Sequence, residues 1–179
     1  MASLAKEIRE WIVAILIALA VVILVRMFLF TTYSVDGLSM DPTLEDGDRV
    51  IVNKFIYYIS DIDRDDVIVF DSHQDASYVK RVIGVPGDTV EMKDRVVYVN
   101  GEALREDYVV HQGETYLDNF TLETLGVEGD TIPEGQYLVL GDNRPVSRDS
   151  RDFGLISESD IIGEVQLRFW PFNEIAIDF

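Results

Sequence analysis

The sequence predicts a mainly β protein, in which a single N-terminal transmembrane helix leads into a β-rich outer region carrying a small inserted β subdomain. Three observations predict it. Residues 11–30 are apolar except for Arg26. From Tyr33 onward, short β-branched and aromatic runs recur between Gly, Pro and Asp, with no sustained period of 3.6. Between residues 88 and 133 the chain becomes more acidic and less regular, before the apolar run Tyr137-Leu138-Val139-Leu140 resumes.

Taken in order, residues 1–10 form a short arm, 11–30 the anchor, 31–87 and 134–179 the β core, and 88–133 the inserted subdomain. About 20 apolar residues at ~1.5 Å each match a ~30 Å hydrocarbon layer. Arg26 lies near the outer end of that run, where its stem can carry the charge to the headgroups, and Phe28, Phe30 and Tyr33 suit the same interface. Lys6 and Arg9 favour a cytoplasmic arm, which puts the acidic region outside. A cleaved leader is the alternative, but its apolar part spans only about 7–15 residues and ends at small side chains. The exit here, Phe30-Thr31-Thr32-Tyr33-Ser34, is a poor cleavage site, and Ala18-Leu19-Ala20 sits inside the apolar run. Strands are predicted at 50–53, 67–70, 78–83, 89–92, 96–99, 137–140 and 163–170, with Asn100-Gly101 as a hairpin turn.

With 179 residues there is room for one compact domain plus an elaboration. The formal charge is -18, and residues 31–179 hold 12 Lys+Arg against 31 Asp+Glu, a surface that repels phosphate backbones and argues against a nucleic-acid partner. Cysteine is absent, which excludes disulfides, iron–sulfur clusters and thiolate zinc sites. His73 and His111 are too few for a metal site, no cofactor is expected, and both read as surface residues, not as catalytic bases.

Three segments carry chemistry. Ser39-Met40-Asp41-Pro42-Thr43 follows an extended stretch and precedes a proline that biases Asp41 away from helix, so Ser39 sits on a turn leaving a strand. A serine hydroxyl is a weak nucleophile until a neighbouring base takes its proton, and lysine can be that base. In Tyr78-Val79-Lys80-Arg81-Val82, strand alternation puts Lys80 on one face with Tyr78 and Val82, while Arg81 faces solvent or a carboxylate. An ordinary lysine, with a pKa near ~10.4, must be lowered by roughly 2–3 units to act as a base, and burial is the expected cause. In Gly141-Asp142-Asn143-Arg144-Pro145-Val146-Ser147-Arg148-Asp149-Ser150-Arg151, the Asp142-Asn143 pair is expected to close a side-chain-to-backbone turn. Ser147 is expected to hydrogen-bond the Lys80 amine, Asp149 and Arg151 to pair and fix the loop, and Arg144-Pro145 to stiffen it.

Taken singly, each segment also reads as a plain turn or a surface strand. Together and in this order, over roughly 30 residues, they resemble the type I signal peptidases, the small single-anchor type of Gram-positive bacteria looking closest in length. That resemblance implies a signal peptidase β core with an inserted subdomain. It implies Ser39 as nucleophile, Lys80 as general base, and Ser147, Asp149 and Arg151 as supports. The substrate would be a preprotein bearing a signal peptide, cleaved through an acyl-enzyme after a small-x-small segment. The partners are those preproteins and the lipid bilayer, with proximity to the secretion translocon. The location is a cell membrane crossed once, with the catalytic domain on the extracytoplasmic face. Gly37 departs from relatives that carry a serine hydroxyl two positions before the nucleophile, so the Ser39 backbone N–H is the first oxyanion donor expected. An extended substrate beside Thr31 to Leu38 and Ser77 to Lys80 would meet Val35, Met40, Leu44 and Tyr78 as pocket lining. Three other readings stand beside this one: a self-cleaving repressor, which the apolar N-terminus argues against; a membrane-anchored assembly module without activity; and a peptidase dedicated to one surface assembly system.

Overall fold

A computed structural model of the chain describes residues 2–72, 76–109, 119–177 and 179. His73 and His111 fall outside them. Helix α1 (Ala2–Phe28) is followed by strands β1 (Phe30–Ser34), β2 (Arg49–Asn53), β3 (Val67–Asp71) and β4 (Ser77–Gly84). Next come β5 (Val90–Lys93), β6 (Val96–Val99), β7 (Glu102–Ala103), β8 (Phe120–Thr121) and β9 (Gln136–Leu140), then helix α2 (Ser150–Phe153), β10 (Ile156–Ser157) and β11 (Ile161–Trp170).

Within α1, residues Lys6–Val25 form a 20-residue stretch of mean hydropathy 2.6, none of it buried by the other described residues. It is long and apolar enough to cross a membrane. The helix ends two residues before the expected limit of 30, because Phe30 is already paired with Asn53 in the β1–β2 ladder. The chain therefore passes from helix to sheet with only Leu29 between, and the Lys54 N–H donates to the Leu29 carbonyl at that junction.

The outer region is mainly β. A curled seven-stranded sheet runs β1-β2-β11-β3-β4-β9-β10, and a four-stranded sheet runs β7-β6-β5-β8. All seven strands expected from the sequence are present, with ends shifted by up to two residues. Strands β1, β7, β8 and β10 escaped prediction, β1 because it follows directly on the apolar run and the other three because two residues show no periodicity. Asn100 and Gly101 form the two-residue turn joining β6 to β7. β3 is buried on both faces. Val67 and Val69 join Val50, Val52, Met40 and Leu44 in one cluster, while Ile68 and Phe70 join Val82 and Val139 in another. Such continuous apolar runs are what a strand buried on both sides requires.

The smaller sheet, formed by β5 to β8, shares a core with the larger one. Val90, Met92, Val97 and Phe120 pack on Ile83, Leu138 and Leu140, the last residues of β4 and β9. The smaller sheet is thus seated on β4, which carries Lys80, and on β9, which leads into the Gly141 segment.

Candidate active site

β4 and β9 pair antiparallel, with Arg81 opposite Leu140. Lys80 therefore falls beside the point where β9 gives way to Gly141, and residues 77–80 have β3 on only one edge. The Ser39 turn arrives from β1 and is tied to the Gly141 loop by the Asn143 N–H, which donates to the Ser39 carbonyl. Three segments distant in sequence thereby meet at one place.

Lys80 is 3% exposed. Its Nζ lies 2.8 Å from Ser39 Oγ and donates to the Val79 carbonyl at 2.8 Å. Burial pushes the amine down from an ordinary 10.5 to about 8, against the opposing pull of the Asp149 and Asp142 carboxylates. The expected alternation holds: Tyr78 shares the Lys80 face, its ring centroid 5.4 Å from Nζ.

Arg81, on the other face, is 1% exposed. Of the two fates open to it, the carboxylate is the one realised, since Nε and Nη2 donate to Asp142 at 3.0 and 2.7 Å. Thr43 Oγ1 donates to the same Asp142 carboxylate at 2.5 Å. Asp142 thus joins all three segments through a long-range ion pair, where a local side-chain-to-backbone turn was expected. A charged guanidinium in the interior demands a bidentate partner more strongly than a turn demands a cap.

The Asp149–Arg151 pair forms as expected, with Arg151 Nε and Nη2 donating to the two carboxylate oxygens at 2.8 Å each. Asp149 also caps α2 and accepts the Gly141 N–H at 3.0 Å, while Arg151 Nη2 reaches the Arg144 carbonyl at 2.7 Å. Ser147 differs from expectation. Its Oγ is buried with no hydrogen-bond partner, so the expected bond to the Lys80 amine is not made. Gly141 explains the crowding there: a Cβ at this position would overlap both Ser147 Oγ and the Ser39 carbonyl.

Two of the expected pocket residues are corrected. Met40 and Leu44 have no accessible surface and belong to the core behind the serine turn, because the tight turn folds their side chains inward against Val50 and Val52. Val35, at 7% exposure, belongs to the same cluster. Tyr78 is half-buried and borders a cavity of about 220 Å³ with Phe70, Phe153 and Ile156. Gly37 holds φ +95°, a conformation that disfavours any side chain there, and its N–H donates to Asp46 Oδ1 at 2.8 Å. Among the described residues the Ser39 N–H makes no hydrogen bond. No group of three or more His, Cys, Asp or Glu side chains among them is placed to hold a metal ion.

Sequence reasoning missed the partners that complete this site. Arg144 is 2% exposed and pairs with Glu106 of the inserted segment, and the Tyr108 ring covers Arg81. Nothing local to Arg144, in a polar loop, names a partner 38 residues away.

The profile of the family described as signal peptidase, peptidase S26, matches residues 8–170. Signal peptidase IB of Staphylococcus aureus strain MRSA252 is 46% identical over 182 residues, covering 97% of this chain and 95% of that protein. Signal peptidase I of Bacillus licheniformis is 44% identical over 174 residues, covering 93% and 90%. A crystal structure of a signal peptidase I from Enterococcus faecalis V583 superposes with a TM-score of 0.53 at 45% identity, covering 59% of this chain and 97% of that one. The β-rich fold and these matches define a peptidase with an N-terminal apolar helix. Within that class, the chain belongs to the signal peptidase family, peptidase S26.

Proposed function

We propose that the protein is a membrane-anchored serine endopeptidase that removes signal peptides from exported preproteins, with Ser39 as nucleophile and Lys80 as general base. The observation that carries this reading is a buried lysine amine 2.8 Å from a serine hydroxyl, with its proton affinity lowered by burial. The neutral Nζ takes the Ser39 proton as Oγ attacks the scissile carbonyl. The Ser39 N–H, which makes no hydrogen bond among the described residues, donates to the developing oxyanion, a contact of the kind worth ~10²–10³ in rate. The ammonium then returns its proton to the leaving amine, and the signal segment stays on Ser39 as an ester. A water activated by Lys80 hydrolyses that ester and restores the serine.

The free edge of β4 at 77–80 and the outer edge of β1 are placed to pair with an extended substrate. Backbone pairing supplies affinity, and alternate side chains enter shallow pockets that admit small residues. Tyr78 is the accessible lining candidate, while Met40 and Leu44 shape the floor from within the core. Asp149 and Arg151 support the loop, and Ser147 holds an unused hydroxyl available to the amine once substrate excludes water. The anchor places the arm of residues 1–10 in the cytoplasm and the catalytic domain outside, near the translocon and beside substrates that themselves occupy the bilayer.

The test is cleavage of a preprotein reporter in liposomes by the parent, Ser39→Ala and Lys80→Met, all checked for folding. Cleavage after a small-x-small segment is expected from the parent, with a loss of about 10⁴-fold or more in both variants. Retained cleavage in either variant removes that residue from the mechanism.

A further inference from the structure

The inserted segment sends two side chains into the catalytic motifs. The Tyr108 ring centroid lies 3.9 Å from the guanidinium carbon of Arg81. That guanidinium is enclosed on its remaining sides, by Asp142, by the Asp65 carbonyl at 3.0 Å from Nη1, and by Thr43 Oγ1 at 3.3 Å from Nη2. Tyr108 is itself fixed, its hydroxyl donating to Asp65 Oδ1 at 3.3 Å. Glu106 engages both ends of the Arg144 guanidinium, Nη1 at 3.3 Å and Nη2 at closer range. Arg144 Nε in turn donates to the Gly141 carbonyl at 2.9 Å.

We propose that Glu106 and Tyr108 are positioning residues for the catalytic lysine: the segment that carries them clasps Arg81, which follows Lys80 in β4, and Arg144, which holds the Gly141 carbonyl, and so keeps the Lys80 amine dry and aimed at Ser39. The inference rests on Lys80 being the base. Arg81 follows Lys80 in β4, and Arg144 holds the carbonyl of Gly141, the residue wedged between Ser39 and Ser147. With surfaces of 1% and 2%, neither arginine has solvent to fall back on, so the loss of a partner must be met by movement or by entry of water. Without Glu106, Arg144 turns outward and releases the Gly141 carbonyl. Without the Tyr108 ring, one face of Arg81 opens and its hold on Asp142 weakens.

Both changes act on Lys80 with the same sign. The groups acting on its amine are Ser39, the Val79 carbonyl, Tyr78 and the carboxylates of Asp142 and Asp149, which Arg81 and Arg151 offset. Admitting water removes the desolvation that favours the neutral amine, and a less neutralised Asp142 favours the ammonium further. A role confined to stability would lower the melting temperature and leave the proton affinity of Lys80 untouched.

The experiment is the pH profile of kcat/KM for reporter cleavage by Tyr108→Leu, Tyr108→Phe and Glu106→Gln in the full chain, with thermal unfolding followed in parallel. Tyr108→Leu and Glu106→Gln are expected to move the ascending limb upward by about 0.5–1 pH unit, lowering activity at pH 7 about three- to tenfold. Tyr108→Phe, which keeps the ring, is expected to retain the parental limb. A limb unmoved in both Tyr108→Leu and Glu106→Gln, whatever their melting temperatures, overturns the clasp. If one of these does not fold, the other decides. Lys80→Met tests the underlying reading separately: cleavage surviving that change removes the base, whereas an intact parental limb with unshifted variants removes only the clasp.

Discussion

Lys80 costs the protein stability whenever its amine is charged. Its ordinary value of 10.5 falls to about 8 in the fold, so between those values the unfolded chain binds a proton that the native state refuses. Native stability therefore rises with pH from about 8 to about 10.5, and below 8 the full penalty applies, about 3 kcal/mol for a side chain with 3% exposure. Two outcomes follow at this scale. The kcat/KM of the parent should climb with unit slope and level off above about pH 8, because in the proposed mechanism only the neutral amine can accept the serine proton; a flat profile from pH 6 to 9 would separate Lys80 from catalysis. Lys80→Met should be inactive yet melt higher than the parent at pH 6, with the difference shrinking toward pH 10. Calorimetry at both pH values checks it, and equal melting temperatures at pH 6 would mean that the amine is solvated in the native state. This residue was legible in the sequence because two-residue alternation groups it with Tyr78 and Val82 and because three segments in order resemble one family; alternation alone would leave it a surface lysine. Its neighbour was only half legible. Alternation turns Arg81 the other way but cannot say that Asp142, 61 residues on, is waiting there.

Between single side chains and the whole chain, the Gly141–Arg151 loop is the element that brings the site together. It receives the Ser39 carbonyl on Asn143, caps α2 with Asp149 and holds Arg81 with Asp142. Gly141→Ala should place a methyl against Ser147 Oγ and the Ser39 carbonyl, pushing the serine turn from the lysine. A displacement near 1 Å is enough to cost about 10²-fold in kcat, measurable on the reporter with KM little changed. Parental turnover in a folded Gly141→Ala would mean that the turn and loop are free to separate. Asp142→Ala should leave Arg81 charged and unpaired in the interior and lower stability by about 3–5 kcal/mol in urea unfolding. A loss under 1 kcal/mol would show that Arg81 finds water. The strands flanking this loop were readable because their pattern is local. The side-chain bonds that bind the loop were not, because Thr43 with Asp142 and Glu106 with Arg144 join residues 99 and 38 positions apart. Polarity marks such residues as candidates for turns and surfaces, and only the tertiary fold reveals that they are buried pairs. The same limit misplaced Met40 and Leu44, since a turn motif tells which residues are near the nucleophile and not which of them face inward.

For the molecule as a whole, the question is what the helix does for a reaction whose parts all lie beyond it. α1 is exposed along its described length, and its fixed connection is the Leu29 carbonyl accepting the Lys54 N–H at the edge of the larger sheet. The three apolar clusters, the buried ion pairs and the Ser39–Lys80 contact are all made by residues from 31 on. Removing residues 1–29 should therefore leave a folded domain whose kcat/KM on a short soluble peptide stays within about threefold of the parent. On a preprotein held in liposomes the same truncation should cost about 10²-fold, because enzyme and scissile bond no longer share one surface and the gain in effective concentration is lost. Cleavage of both substrates by both forms, at matched lipid, gives the comparison. Equal losses on peptide and preprotein would show that the helix shapes the site itself, through β1, whose first residue follows the anchor after a single intervening position. A selective loss on the membrane-held substrate would assign the helix to encounter alone, leaving the chemistry to the β domain.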